Sequence, residues 1–68
     1  MIQKSESYYI ARRTALVREF MRLRDLRLWR CAAARVRTIA KLDLEHRGIP
    51  IQDTYSVFGY SELQKKMK

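Results

Sequence analysis

From Ser5 to Arg47 the chain contains no glycine, proline or asparagine, and that uninterrupted stretch limits what it can fold into. The stretch is rich in Ala, Leu, Arg, Met and Glu, which lose little freedom on entering a helix. Its end is marked by "EHRGIP", residues 45–50. His46 and Arg47 place positive charge at the negative end of a helix dipole. Gly48 fits the left-handed position just past a helix, Ile49 the apolar position after it, and Pro50 forbids continuation. Ser5 or Ser7 can cap the start, because a serine hydroxyl accepts a bond from an unpaired N–H of the first turn. The pattern predicts an all-α chain dominated by one long basic helix over about 7–47.

A continuous helix of that length would span roughly 60 Å at 1.5 Å per residue. A compact chain of 68 residues has a radius of gyration near ~11 Å, so the remaining residues cannot cover such a rod. Either the helix pairs with another chain, or it is two helices folded on each other. In the first half, Tyr9, Ile10, Leu16, Val17, Phe20 and Met21 share a face. From Leu26 onward the apolar face is Leu26, Trp29, Ala32, Ala33, Val36, Ile39 and Ala40, rotated by well over a quarter turn. The rotation falls within "RLRDLRL", residues 22–28. A break near 24–26, with Asp25 capping a second helix, is one reading. No Gly, Pro or Asn encodes a tight turn there, so the continuous helix is the favoured expectation.

Leu26, Trp29, Ala33, Val36 and Ala40 step by three and four residues, the spacing of a helix–helix seam. Alanines allow backbones to approach closely, and an antiparallel pair would set Trp29 of one copy against the alanines of another. These five residues are therefore the expected self-association surface of a helical homodimer. With one cysteine, Cys31, and one histidine, His46, neither an intrachain disulfide nor a closed four-ligand zinc site can stabilise so short a chain. No metal and no cofactor are expected. Cys31, mid-helix beside alanines, reads as a small buried apolar residue.

Residues 49–60, "IPIQDTYSVFGY", read as an irregular or extended segment lying over the helix through Ile49, Ile51, Tyr55, Val57 and Phe58. "SELQ" at 61–64 matches a capping box with Ser61 as N-cap and Gln64 three residues on. It predicts a short C-terminal helix from Glu62 to about Lys66. The whole chain, 1–68, reads as one small helical domain.

The net charge of +8 and a pI near 10.3 favour phosphate-rich or acidic partners, while 47% hydrophobic residues are too many for a disordered basic tail. All ten arginines lie between residues 12 and 47. Four helical pairs at three- or four-residue spacing, Glu19–Arg22, Arg22–Asp25, Lys41–Glu45 and Asp43–Arg47, can neutralise some of them. Arg12, Arg13, Arg27, Arg30, Arg35 and Arg37 remain without such a partner. Arg27, Arg30, Arg37 and Lys41 share one face of a continuous helix, and a basic helix fits the major groove of B-DNA. The expected nucleic-acid-binding set is Arg27, Arg30, Arg37, Lys41, Arg12 and Arg13.

No paired-carboxylate site, glycine-rich phosphate loop or metal spacing is present, so a non-enzymatic regulatory protein is expected. The alternative is an adaptor or inhibitor whose amphipathic helix docks on an acidic protein. No small-molecule substrate is implied. No segment reaches the ~18 apolar residues of a membrane span, and the lone thiol suits a reducing cytoplasm.

Overall fold

A computed structural model describes residues 6–67. Four helices and no strand occur among them: α1 Glu6–Asp25, α2 Trp29–Arg47, α3 Ile51–Phe58 and α4 Tyr60–Lys66. The molecule measures 43 × 21 × 16 Å, too short for a single helix through residue 47. Helix α2 is the centre of the fold. Helix α1 folds back along it, and α3 and α4 pack on it as well.

The expected long helix is thus two. Leu23 and Arg24 carry the carbonyls that close α1: the Leu28 N–H donates to Leu23 O at 2.9 Å and the Arg27 N–H to Arg24 O at 3.0 Å. This is the paired closure in which the residue between takes a left-handed conformation, a place usually filled by glycine. Here it is Arg27, with φ of 62°. An L-residue in that region costs roughly 1–2 kcal/mol, while glycine gives back part of that through a freer unfolded chain. Arg27→Gly is therefore expected to stabilise the chain by about 0.5–1 kcal/mol. A rise in the urea midpoint with unchanged slope would show it. Asp25 ends α1 and does not cap α2, which begins at Trp29 with no side-chain cap on Leu28.

At the far end of α2 the predicted stop is present. Gly48 is left-handed (φ 65°), and its N–H donates to Leu44 O at 3.0 Å. Pro50 then sits at the N-cap of α3, accepting the Asp53 N–H at 3.0 Å. The segment expected to be irregular is a helix, because Thr54, Tyr55 and Phe58 recur at helical spacing and turn inward. Val57, expected as a contact, is 73% exposed. Ser61 lies inside α4 and caps nothing; Gly59 occupies that position. Ser7 lies inside α1, and Ser5 falls outside the described residues.

Two apolar clusters join the helices. Phe20 of α1, Ala32, Ala33 and Val36 of α2 and Leu63 of α4 form one, with Leu23, Trp29, Tyr55, Phe58, Tyr60 and Met67 against it. Tyr9, Leu16, Ile39 and Leu42 form the other. The alanines admit neighbouring elements to α2 at close range, as the seam spacing implied, but the elements are the chain's own. Ala33, Val36 and Ala40 are enclosed and have no surface left for a second copy. Trp29 is half-buried on the same core. Of the five predicted self-association residues only Leu26, 58% exposed in the turn, stands clear.

Between the clusters lies one buried carboxylate. Asp43, 1% exposed, accepts Tyr9 Oη at 2.8 Å and Arg13 Nε at 2.9 Å on Oδ1. Its Oδ2 accepts Thr54 Oγ1 at 2.9 Å and Arg13 Nη2 at 3.3 Å. Two donors come from α1 and one from α3, so a single α2 side chain ties three helices. Burial alone would push the Asp43 carboxyl up, but the hydrogen bonds from Arg13, Tyr9 and Thr54 and the Arg13 charge hold it below its ordinary value. Burial, together with the bond to that carboxylate, pushes the Tyr9 phenol up.

Candidate nucleic-acid interface

The fold separates two groups of basic residues, besides Arg18 and Arg22, exposed on α1, and Arg24, which lies 5.4 Å over the Phe20 ring. One group joins helices. Arg13 is bidentate on Asp43, Arg35 pairs with Glu19 at 3.0 Å, and Arg47 pairs with Glu6 while lying 4.7 Å over the Tyr9 ring. These pairs run between helices, whereas the sequence spacing suggested pairs along one helix. Arg13, expected to contact nucleic acid, is held on Asp43 with about a third of its side chain exposed.

The second group lines the side of α2 that faces away from the core. Arg30, Arg37 and Lys41 are all exposed, lie within about 40° of one another around the helix, and span roughly 16 Å of its length. Ala32, Ile39 and Asp43, buried on the opposite side, are what hold this face outward. Arg37 is also oriented by its Nη1–H, which donates to Tyr60 Oη at 3.0 Å. Tyr60 in turn stacks on Tyr55 at 4.1 Å between ring centroids. Among the described residues no carboxylate pairs with Arg30, Arg37 or Lys41.

Arg12 joins this surface from α1. With Tyr8 and Leu16 it faces Thr38, Lys41, Leu42 and Glu45 across a shallow groove of about 230 Å³. Arg27 does not continue the α2 stripe, because the turn removes it from the helical register. It borders a second hollow of about 290 Å³, with Leu28, Trp29, Arg30, Cys31, Lys66 and Met67. The Lys66 ammonium lies 5.0 Å from the Trp29 ring centroid, an attraction between cation and ring quadrupole. Lys66 was absent from the predicted set because its proximity to Trp29 depends on the fold-back of α4. Cys31 is exposed, contrary to the buried role expected of it. His46 packs 5.3 Å from Tyr9 and 6.0 Å from Tyr8, closing the end where α1 begins and α2 stops.

The array is electrostatic in character. Three aligned cations on one helix, a fourth across a groove and two more around Trp29 can bind phosphates without a catalytic group. No group of three or more metal-ligating side chains occurs among the described residues, and no helix is long and apolar enough to cross a membrane. No protein-family model, curated protein sequence or solved structure matches the chain.

Proposed function

We propose that this is a small, non-enzymatic, regulatory nucleic-acid-binding protein that follows phosphates with the outward face of α2. The supporting observation is the alignment of Arg30, Arg37 and Lys41 without carboxylate partners, while Arg13, Arg35 and Arg47 are paired between helices. Arg is suited to bidentate phosphate contact, and Arg12 extends the surface across the groove. Ala33, Val36 and Ala40 of the seam expected for a homodimer are enclosed by the chain's own helices, so self-association would have to use other residues. A cytoplasmic place of work fits the unpaired thiol.

The test is fluorescence anisotropy of a labelled duplex DNA and a labelled single-stranded RNA at ~50 and ~200 mM salt. Contact with about four phosphates gives a log–log salt slope near −3.6 on duplex, a loss of roughly 100-fold across that range. Arg30→Ala and Arg37→Ala are each expected to reduce the slope by about one. Absence of binding at low salt, or binding indifferent to salt, would overturn the reading. A second reading, an adaptor on an acidic protein, has one observation in its favour: Leu26 and Leu28 are exposed beside Arg27. Its mark would be binding that tolerates salt and fails when those leucines become alanine.

A further inference from the structure

The outward stripe of α2 ends at Arg30, and Arg30 also belongs to the hollow around Trp29. This hollow differs from the rest of the basic surface. Its wall combines an indole, the apolar side chains of Leu28 and Met67, the Cys31 thiol and three cations, Arg27, Arg30 and Lys66. No acidic residue lines it. Lys66 over Trp29 already places a cation against a ring face.

We propose that this hollow holds an unpaired base of single-stranded nucleic acid, stacked on Trp29, with its flanking phosphates on Arg27, Arg30 and Lys66. The inference rests on the phosphate-binding reading of α2 and adds the strand type it prefers. A base offers a flat apolar face and a phosphate on each side, which is the chemistry this wall complements. Aromatic side chains serve as platforms for successive bases irrespective of sequence. Bases inside a duplex are already stacked and offer no face, whereas unpaired ones can be splayed out. When the base enters, the Lys66 ammonium leaves the ring for the neighbouring phosphate, exchanging a cation–ring contact for an ion pair. The strand then continues along Arg37 and Lys41, since Arg30 is common to both surfaces.

Trp29 is the chain's one tryptophan, so its emission reports on the hollow directly. The experiment titrates the full chain at ~50 mM salt with an oligothymidine, the same backbone with every base removed, a blunt duplex of equal phosphate number, and thymidine monophosphate. Trp29 emission and the anisotropy of labelled strands are followed together. The proposal expects saturable quenching by the oligothymidine, and weaker binding without quenching by the abasic strand, by about 5- to 100-fold. Bound oligothymidine should also slow alkylation of Cys31. Lys66→Ala and Arg27→Gly, both at exposed positions, should weaken oligothymidine more than duplex.

Duplex binding with a steep salt slope, but no Trp29 quenching by the oligothymidine, would overturn the base site and leave the α2 phosphate surface standing. Quenching by thymidine monophosphate at lower concentration than by the oligothymidine would also overturn it, in favour of a free-nucleotide site. If no strand binds, both readings fall.

Discussion

Asp43→Ala is expected to remove most of the stability of this chain. The substitution leaves the Tyr9 and Thr54 hydroxyls without their acceptor, and both residues are buried. It also leaves the Arg13 guanidinium unpaired. Breaking a buried ion pair costs about 3–5 kcal/mol. Arg13 is one-third exposed and can turn to water, which lowers its share. The hydroxyls add about 1–3 kcal/mol for each group left unsatisfied. The expected sum is about 3–8 kcal/mol, against ~3–10 kcal/mol for a chain of this length. Circular dichroism with urea reads the loss, and a shift under 1 kcal/mol would show that the four bonds are not what joins α1 and α3 to α2. Acid tests the same group. A carboxyl held below its ordinary value in the folded state stabilises the fold above its unfolded pKa of about 3.9. That contribution fades as pH falls below about 4 towards the folded-state pKa. The wild type should lose stability in that window, and Asp43→Asn should lack that part of the acid sensitivity.

Phe20→Ala is the second large effect. Phe20 is fully enclosed, and its ring meets Phe58 edge-on at 5.2 Å between centroids. It is the α1 residue of the cluster that also holds Ala32, Ala33, Val36 and Leu63. Removing a buried phenyl ring costs about 3–5 kcal/mol, depending on how far the site collapses. The small alanines opposite have no side chain to swing into the void, which places the expected cost in the upper part of that range. Urea unfolding should show a lowered midpoint at constant slope. A near-wild-type midpoint would mean that α1 does not pack on α2 through this cluster.

The helix stop at Gly48 was legible because glycine and proline carry local signals. The break after Asp25 shows in the sequence as a rotation of the apolar face between Met21 and Leu26, which made a break near 24–26 the less favoured of two expectations. The turn itself uses arginine in a left-handed conformation, which composition does not announce. Asp43 read as a surface partner of Arg47, four residues on; only the fold-back of α1 brings Tyr9 and Arg13 to it. The seam of Trp29, Ala33, Val36 and Ala40 was legible as a packing surface, but periodicity does not say whether the neighbour is another chain or another part of the same one. Helix α3 was obscured by its β-branched residues, although Ile51, Thr54, Tyr55 and Phe58 follow the i, i+3, i+4, i+7 pattern of a helix face. Arg30, Arg37 and Lys41 were found together because helical spacing alone sets that face. Lys66 was not, because its place beside Trp29 is a product of tertiary structure.

Helix α2 has an inward face that folds the chain, and its outward face is the one proposed to bind phosphate. The most direct test reverses the charge of the outward face in one variant, Arg30→Glu, Arg37→Glu and Lys41→Glu together, and measures thermal stability and duplex affinity side by side. The account predicts a melting temperature close to wild type, since these side chains are exposed and one exposed hydrogen bond to Tyr60 is lost. It predicts an affinity at ~50 mM salt reduced by at least about 100-fold. Unchanged affinity in a folded variant would contradict it.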